Sequence, residues 1–249
     1  MIFRRVPWIL LPPVGWLLAF LVIPVGVVSA RALTSEGVAA LTSVLTWKLV
    51  GMSVVVAMIT TILCLVAGYP VAWCIATLPR RWRHFVLFLV VLPFWANLLV
   101  RTYALMTILR PFGLLDTWFA AVFGLWHSYL PFMVLPLYTS IEKVPVKLLE
   151  AAQDLGATPS QAFWRVAVPL TAPGIAAGCI LVFIPVLGAF ATPELLGGAQ
   201  AIMAGSQINL YFMSARNPAA GAAMTLILMV ITVVLMAAFY RSRRNERLL

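Results

Sequence analysis

Charge is scarce in this sequence. Only 10% of its 249 residues are Asp, Glu, Lys or Arg, whereas 63% are hydrophobic. In a soluble domain roughly a quarter of all residues are charged, because its surface must face water. The low charge therefore excludes an ordinary soluble domain and indicates a surface that faces lipid. We expect a single membrane domain over residues 1–249.

Residues that bind metals are also few. The three cysteines, Cys64, Cys74 and Cys179, show no C-x-x-C spacing and fall in apolar stretches, which predicts buried small hydrophobic side chains. His84 and His127 have no carboxylate or cysteine at metal-ligand spacing. We predict no metal site.

Motifs of catalysis are missing as well. Without a Gly-x-x-x-x-Gly-Lys phosphate loop or an H-E-x-x-H pair, the chain is expected to be neither an ATPase nor another enzyme. Ser128 beside His127 does not form a catalytic pair, since neighbours on a helix point about 100° apart. Ion-coupled carriers need ionisable residues inside their spans, and Arg101 is the one found well inside. An ion-coupled secondary carrier and an intramembrane enzyme remain alternatives.

Long apolar runs dominate the rest of the sequence. A bilayer core needs about 20 mostly apolar residues as helix, and an all-α membrane protein with about six transmembrane helices follows. The predicted spans are approximately 8–30, 49–76, 85–109, 118–140, 170–191 and 218–240.

The first run could also be read as a cleaved signal peptide, because Arg4 and Arg5 precede it and residues 28–30 resemble a cleavage site. It is longer than the usual ~7–15 apolar residues of such peptides. It also contains three prolines, Pro12, Pro13 and Pro24. We predict an uncleaved first helix.

Basic residues are divided unequally between the two sides of the predicted spans. One set of loops holds twelve: Arg4, Arg5, Arg80, Arg81, Arg83, Lys143, Lys147, Arg165, Arg241, Arg243, Arg244 and Arg247. The opposite set holds four: Arg31, Lys48, Arg110 and Arg216. Because cytoplasmic loops carry the excess of Lys and Arg, both termini are predicted to be cytoplasmic.

The longest predicted cytoplasmic connection, about 141–168, contains two helix signatures. A breaker-free stretch from Val146 to Leu155 precedes Gly156, where a helix commonly ends in a left-handed residue. Thr158 and Gln161 then form a capping-box pattern. This pattern predicts a second helix through about Val166, before Pro169.

The first of these helices has an apolar face, with Leu148, Leu149, Ala152 and Leu155 at helical spacing. Two interpretations fit this spacing equally. The hairpin can be solvated and folded against its own bundle, or it can dock onto a cytoplasmic protein.

Segment 149–175, LEAAQDLGATPSQAFWRVAVPLTAPGI, resembles the EAA loop of ABC-importer permeases. The matching positions are Glu150, Ala151, Ala152, Gly156, Val166 and Pro169. The resemblance implies a type I ABC-importer permease fold, in which this segment is a coupling helix that enters a cleft on an ATPase subunit. The coupling residues it implies are Glu150, Ala151, Ala152, Leu155 and Gly156.

Two further stretches, 92–109 and 192–208, resemble the third span and an external loop of spermidine/putrescine-type permeases. The resemblance implies a polyamine importer of the bacterial inner membrane. It also implies a second homologous permease, two ATP-binding subunits and a periplasmic solute-binding protein. ATP and Mg are used by the ATPase partners, so no cofactor is expected on this chain. Permeases for other small organic solutes or ferric iron are the alternative.

A polycation should meet aromatic faces or carboxylates along its path, so Trp95, Tyr103 and Glu194 are candidate path residues. Arg101 is a fourth, and it would favour an anion unless it is paired, for example with Glu194. The sequence departs from the polyamine pattern at 216–218, where Arg-Asn-Pro replaces Arg-Asp-Trp-Pro.

Overall fold

A computed structural model of the chain describes residues 6–246, with side chains placed at positions 12–238 and 241. Within residues 6–246 the secondary structure consists of helices joined by short turns and loops, with no strand. Arg4, Arg5 and Arg247 of the charge count lie outside the described residues, and the side chains of Arg243 and Arg244 are not among those placed.

The helices follow one another with short connections. In chain order they are α1 (Val6–Ala32), α2 (Ser35–Thr42), α3 (Val44–Thr77), α4 (Arg80–Val91), α5 (Leu98–Leu109), α6 (Trp118–Ile141), α7 (Val146–Asp154), α8 (Pro159–Ala162), α9 (Val168–Leu187), α10 (Ala191–Gly197), α11 (Ala204–Met213) and α12 (Pro218–Glu246). Short 3₁₀ turns cover Leu92–Trp95, Arg110–Phe112 and Gly198–Gln200, and a π turn covers Phe163–Ala167.

Five stretches of the described chain are long and apolar enough to cross a membrane: Pro12–Ala32, Val44–Thr77, Trp118–Ile141, Pro159–Leu187 and Pro218–Ala238. A sixth crossing results if one bent helix pair counts as a single span. The predicted all-α membrane architecture with about six spans is confirmed.

The predicted span 85–109 is not one continuous helix. Helices α4 and α5, with their flanking 3₁₀ turns, meet at a bend of 94°. Pro93 lies in the 3₁₀ turn before the bend, and the Asn97 side chain accepts a hydrogen bond from the Leu99 N–H at 2.8 Å. Asparagine in this position begins a new helix, so the chain restarts after the bend.

The helices group into two units, the smaller comprising residues 6–48 with 207–233. Its core contains the small buried residues Ala32, Ala222 and Ala223. Helix α2 begins at Thr34, whose hydroxyl accepts a hydrogen bond from the Gly37 N–H. The alanines of this core have small side chains, and small side chains let helices approach closely.

The larger unit comprises residues 49–206 with 234–246, and it contains a junction of α3, α6 and α9. Met133 of α6 is fully buried. A methyl group added to Gly68 of α3 would lie 3.0 Å from the Met133 side chain, and one added to Gly178 of α9 would lie 2.6 Å from its sulfur. The two glycines therefore provide the space that Met133 occupies.

Gly174 makes the tightest backbone approach between α6 and α9. A methyl group there would lie 2.7 Å from the Pro136 carbonyl oxygen and would also meet the Ser140 side chain. Because a backbone carbonyl inside a helix cannot turn away, no larger residue fits without moving the two helices apart.

We predict that Gly174→Ala destabilises the bundle by about 1–3 kcal/mol, the usual range for overpacking. Gly51→Ala is the matched control, because Gly51 lies in a helix with nothing within 4 Å of an added methyl group. Thermal unfolding in detergent should give a lower midpoint for Gly174→Ala than for the control. Equal midpoints would contradict the close contact.

Candidate coupling surface and translocation path

We call residues 141–168, which run from the end of α6 to the start of α9, the coupling loop. Helix α7 ends with Leu155 as its C-cap, and Gly156 follows with φ +91°. This is the region of backbone space that favours glycine, as the sequence predicts. An added methyl group at Gly156 would meet nothing within 4 Å, so glycine is needed here for its backbone and not for space.

A capping box starts the second helix of the coupling loop. The Thr158 hydroxyl accepts from the Gln161 N–H at 3.3 Å, and the Thr158 N–H donates to Gln161 Oε1 at 3.0 Å. Two backbone donors that the first turn leaves open are thereby satisfied. The predicted capping box is confirmed.

The end predicted for this second helix, near Val166, is wrong. The chain passes from α8 through the π turn Phe163–Ala167 directly into α9, and Pro169 lies in the first turn of α9. Proline donates no backbone hydrogen bond, and π turns occur mostly as single-turn bulges inside α-helices. The helix therefore widens before Pro169 instead of stopping.

The coupling loop exposes its apolar face. No residue of α7 is buried, and the side chain of Leu155 is 90% exposed. Glu150 and Ala151 are also exposed, and Ala152 is half-buried. Val146 and Leu148 of α7 are exposed too, and apolar side chains exposed together favour docking onto another protein over a hairpin packed against its own bundle.

Three of the four candidate path residues, Trp95, Arg101 and Tyr103, lie at the bend between α4 and α5 or in the helix after it. Trp95 is 78% exposed, and its ring contacts Phe88 edge-on at 5.9 Å. Tyr103 on α5 is 52% exposed. The Arg101 guanidinium carbon lies 5.5 Å from the centre of the Phe94 ring, so Arg101 is held by a cation–π contact.

The suggested pairing of Arg101 with Glu194 is not formed. Glu194 is exposed in the first turn of α10. Among the side chains that the structure places, the ion pair within 4 Å joins Arg83 and Glu142. Arg101 instead lies near Tyr129 and His127 of α6. Its Nε and Nη1 atoms are buried without a hydrogen-bond partner.

Sequence reasoning missed the contacts that hold the coupling loop to the bundle. The sequence identifies Arg83 only as one of twelve basic residues on the predicted cytoplasmic side, and it gives no indication of the partner Glu142. The hydroxyls of Tyr69 and Thr171, which lie 2.9 Å apart, were not identified either. The members of each pair are 59 and 102 residues apart, so no local spacing rule connects them.

The structure has long apolar helices, a bent helix pair and an exposed helical loop. These features define a multi-pass integral membrane protein with a surface for contact with a partner. The profile of the family described as "Binding-protein-dependent transport system inner membrane component" matches residues 65–247. The chain belongs to this family.

Individual relatives agree. The chain is 36% identical to the spermidine/putrescine transport system permease protein PotB of Escherichia coli, over 93% of this chain and 95% of that protein. It is 42% identical to the Haemophilus influenzae protein of the same name, over 75% and 71% of the two chains. A bacterial alginate ABC transporter, crystallised with its alginate-pentasaccharide-bound periplasmic protein, contains a chain of the same fold with a TM-score of 0.76. The identity there is 18%, and 95% and 93% of the chains are covered. This chain is an inner-membrane permease subunit of an ABC importer.

We predict that Gly156→Val lowers ATP-driven uptake several-fold while leaving membrane insertion intact. A β-branched residue at positive φ costs of order 1–3 kcal/mol, and the strain falls on the docking surface. Gly113→Val is the matched control, because Gly113 has φ +64° and free space but lies between α5 and α6. Uptake and co-purification of the ATPase subunit should be measured at equal membrane abundance. An equal loss in both variants would contradict the docking role.

Proposed function

We propose that this chain forms half of the translocation path of an ATP-driven polyamine importer, with spermidine or putrescine as the solute. The observation that carries the proposal is the 36% identity, over 93% of the chain, to a permease named for these two solutes. Identity over nearly the whole length includes the spans that form the path, and not merely the coupling loop.

The mechanism we propose is alternating access. ATP binding closes two ATPase subunits, and their clefts carry the coupling loops of this chain and of a second homologous permease inward. The spans then open outward and receive the solute from a periplasmic binding protein, and hydrolysis resets them. ATP and Mg are used on the ATPase subunits. This chain catalyses no reaction of its own. It converts a displacement of its cytoplasmic loop into a change in the side of the membrane to which the path is open.

Aromatic surface at the bend between α4 and α5 supports a cationic solute. Trp95 and Tyr103 are 78% and 52% exposed, and ammonium groups bind over such rings with roughly 0.5–1 kcal/mol each at exposed sites. Several weak contacts of this kind let a polycation pass without being trapped. Glu194, exposed on α10, adds a carboxylate to the same unit.

One observation favours a second candidate for the solute. This candidate is another small organic solute, in particular an anion, or ferric iron carried with an anion. Arg101 has two buried guanidinium nitrogens without a hydrogen-bond partner, and an open guanidinium attracts carboxylate or phosphate oxygens. The two candidates differ in the charge of the solute, so competition experiments separate them.

The substrate prediction is tested with the complete complex in liposomes. ATP-dependent uptake of labelled spermidine should be inhibited by excess unlabelled putrescine, because both carry spaced ammonium groups. Citrate and molybdate at the same concentration serve as anionic controls and should not inhibit. Absence of ATP-dependent spermidine uptake by a complex that does take up labelled citrate or molybdate would reject the polyamine and support the second candidate.

The orientation prediction is tested by cysteine labelling after Cys64, Cys74 and Cys179 have been replaced. A cysteine at Leu155, 90% exposed in the coupling loop, should react with a membrane-impermeant maleimide only after spheroplasts are opened. A cysteine at Phe112, 72% exposed between α5 and α6, should react in intact spheroplasts. The reverse pattern would overturn the cytoplasmic placement of the coupling loop.

A further inference from the structure

An ion pair joins the start of the coupling loop to Arg83 of α4, and the same arginine side chain also contacts the end of α3. Arg83 Nη1 donates to Glu142 Oε1 at 2.7 Å, immediately after α6 ends. Nη2 of the same guanidinium donates to the carbonyl oxygens of Ala76 at 2.8 Å and Leu78 at 3.3 Å. Carbonyls at a helix C-terminus have no partners within the helix and favour a cation. One side chain thus connects Glu142 to the last turn of α3.

A second set of contacts ties the end of the coupling loop to the same helix. The Phe163 ring meets Tyr69 at 5.6 Å and Trp73 at 5.2 Å, edge-on in both cases. Just beyond the loop, the Tyr69 hydroxyl lies at hydrogen-bond distance, 2.9 Å, from the hydroxyl of Thr171, which is fully buried. Phe163 begins the π turn, and such turns are frequent at functional sites.

The two points of attachment on α3 are about two helical turns apart. From Tyr69 to Ala76 is roughly 10 Å at about 1.5 Å per residue. Ala72 and Ile75 between them are buried, so this part of α3 is packed in the bundle. Helices α6 and α9 are joined to the coupling loop by the chain itself, whereas α3 is reached through side chains at both ends of the loop.

We propose that α3 receives the displacement of the coupling loop, with Arg83 and Glu142 as positioning residues at one end and Tyr69 and Thr171 at the other. The proposal rests on the docking of this loop to an ATPase subunit in the proposed function. A rigid loop held at both ends to one helix cannot tilt without moving that helix. Docking thereby moves α3, a span that is not continuous in the chain with the loop.

The test uses the assembled complex and compares ATP hydrolysis with and without the solute-binding protein. Arg83→Gln and Glu142→Gln should leave ATPase co-purification and basal hydrolysis unchanged, while stimulation by the binding protein falls about threefold, the scale of one partly exposed ion pair. The double variant should be no worse than Arg83→Gln alone, because that single change already removes the ion pair. Arg81→Gln, an exposed neighbour, is the matched control.

The other attachment has its own matched pair. Thr171→Val removes a hydroxyl that reaches Tyr69, whereas Thr232→Val removes one that bonds only to its own helix at the Leu228 carbonyl. Only Thr171→Val should lower stimulation, and Tyr69→Phe should match it.

Two results would overturn the role of α3. One is stimulation that is equal in Arg83→Gln and Arg81→Gln. The other is loss of ATPase co-purification with normal stimulation in the complexes that remain, because that pattern indicates a purely structural ion pair. A wild-type complex that the binding protein does not stimulate would contradict the proposed function itself, and the role of α3 with it.

Discussion

The junction at Met133 is the contact on which the larger unit depends. A buried methionine of α6 lies between a glycine of α3 and a glycine of α9, and Gly174 brings α9 against the α6 backbone nearby. In lipid there is no hydrophobic force between apolar helices, so close packing of small residues has to hold them together. Since α6 and α9 are also the helices that flank the coupling loop, this packing sets how far apart the two ends of that loop lie.

A loop with fixed ends behaves differently from a flexible connection. Gly156 turns the chain without strain, the Thr158–Gln161 box starts the next helix, and the π turn carries it into α9 without a break. Every backbone turn is thus specified locally, while the apolar surface at Leu155 stays exposed. A rigid element with an exposed apolar face suits the docking onto an ATPase subunit that we propose.

Much of this could be predicted because it is local in sequence. Apolar runs set the spans, and a glycine or a capping box acts within four residues. The sharpness of the bend between α4 and α5 does not follow from Pro93 alone, because proline is tolerated inside membrane helices. In the structure a 3₁₀ turn contains Pro93 and a new helix starts after Asn97. The continuation through Pro169 was missed because proline was read as a stop. Contacts such as Arg83–Glu142 join distant segments, so they follow from the packing of the bundle and not from any pattern.

Arg101 shows how the two candidate solutes bear on one residue. An arginine within a span costs roughly 2.5–3.5 kcal/mol on insertion scales, and a cation–π contact such as that with Phe94 returns about 0.5–2 kcal/mol of it. Two of its nitrogens are buried within the chain, and Tyr129 and His127 lie beside it. The guanidinium is therefore partly enclosed by this chain, while the residue as a whole is half-exposed. A polycation is compatible with Arg101 only where its ammonium groups contact the exposed rings of Trp95 and Tyr103 and not the guanidinium, because like charges repel.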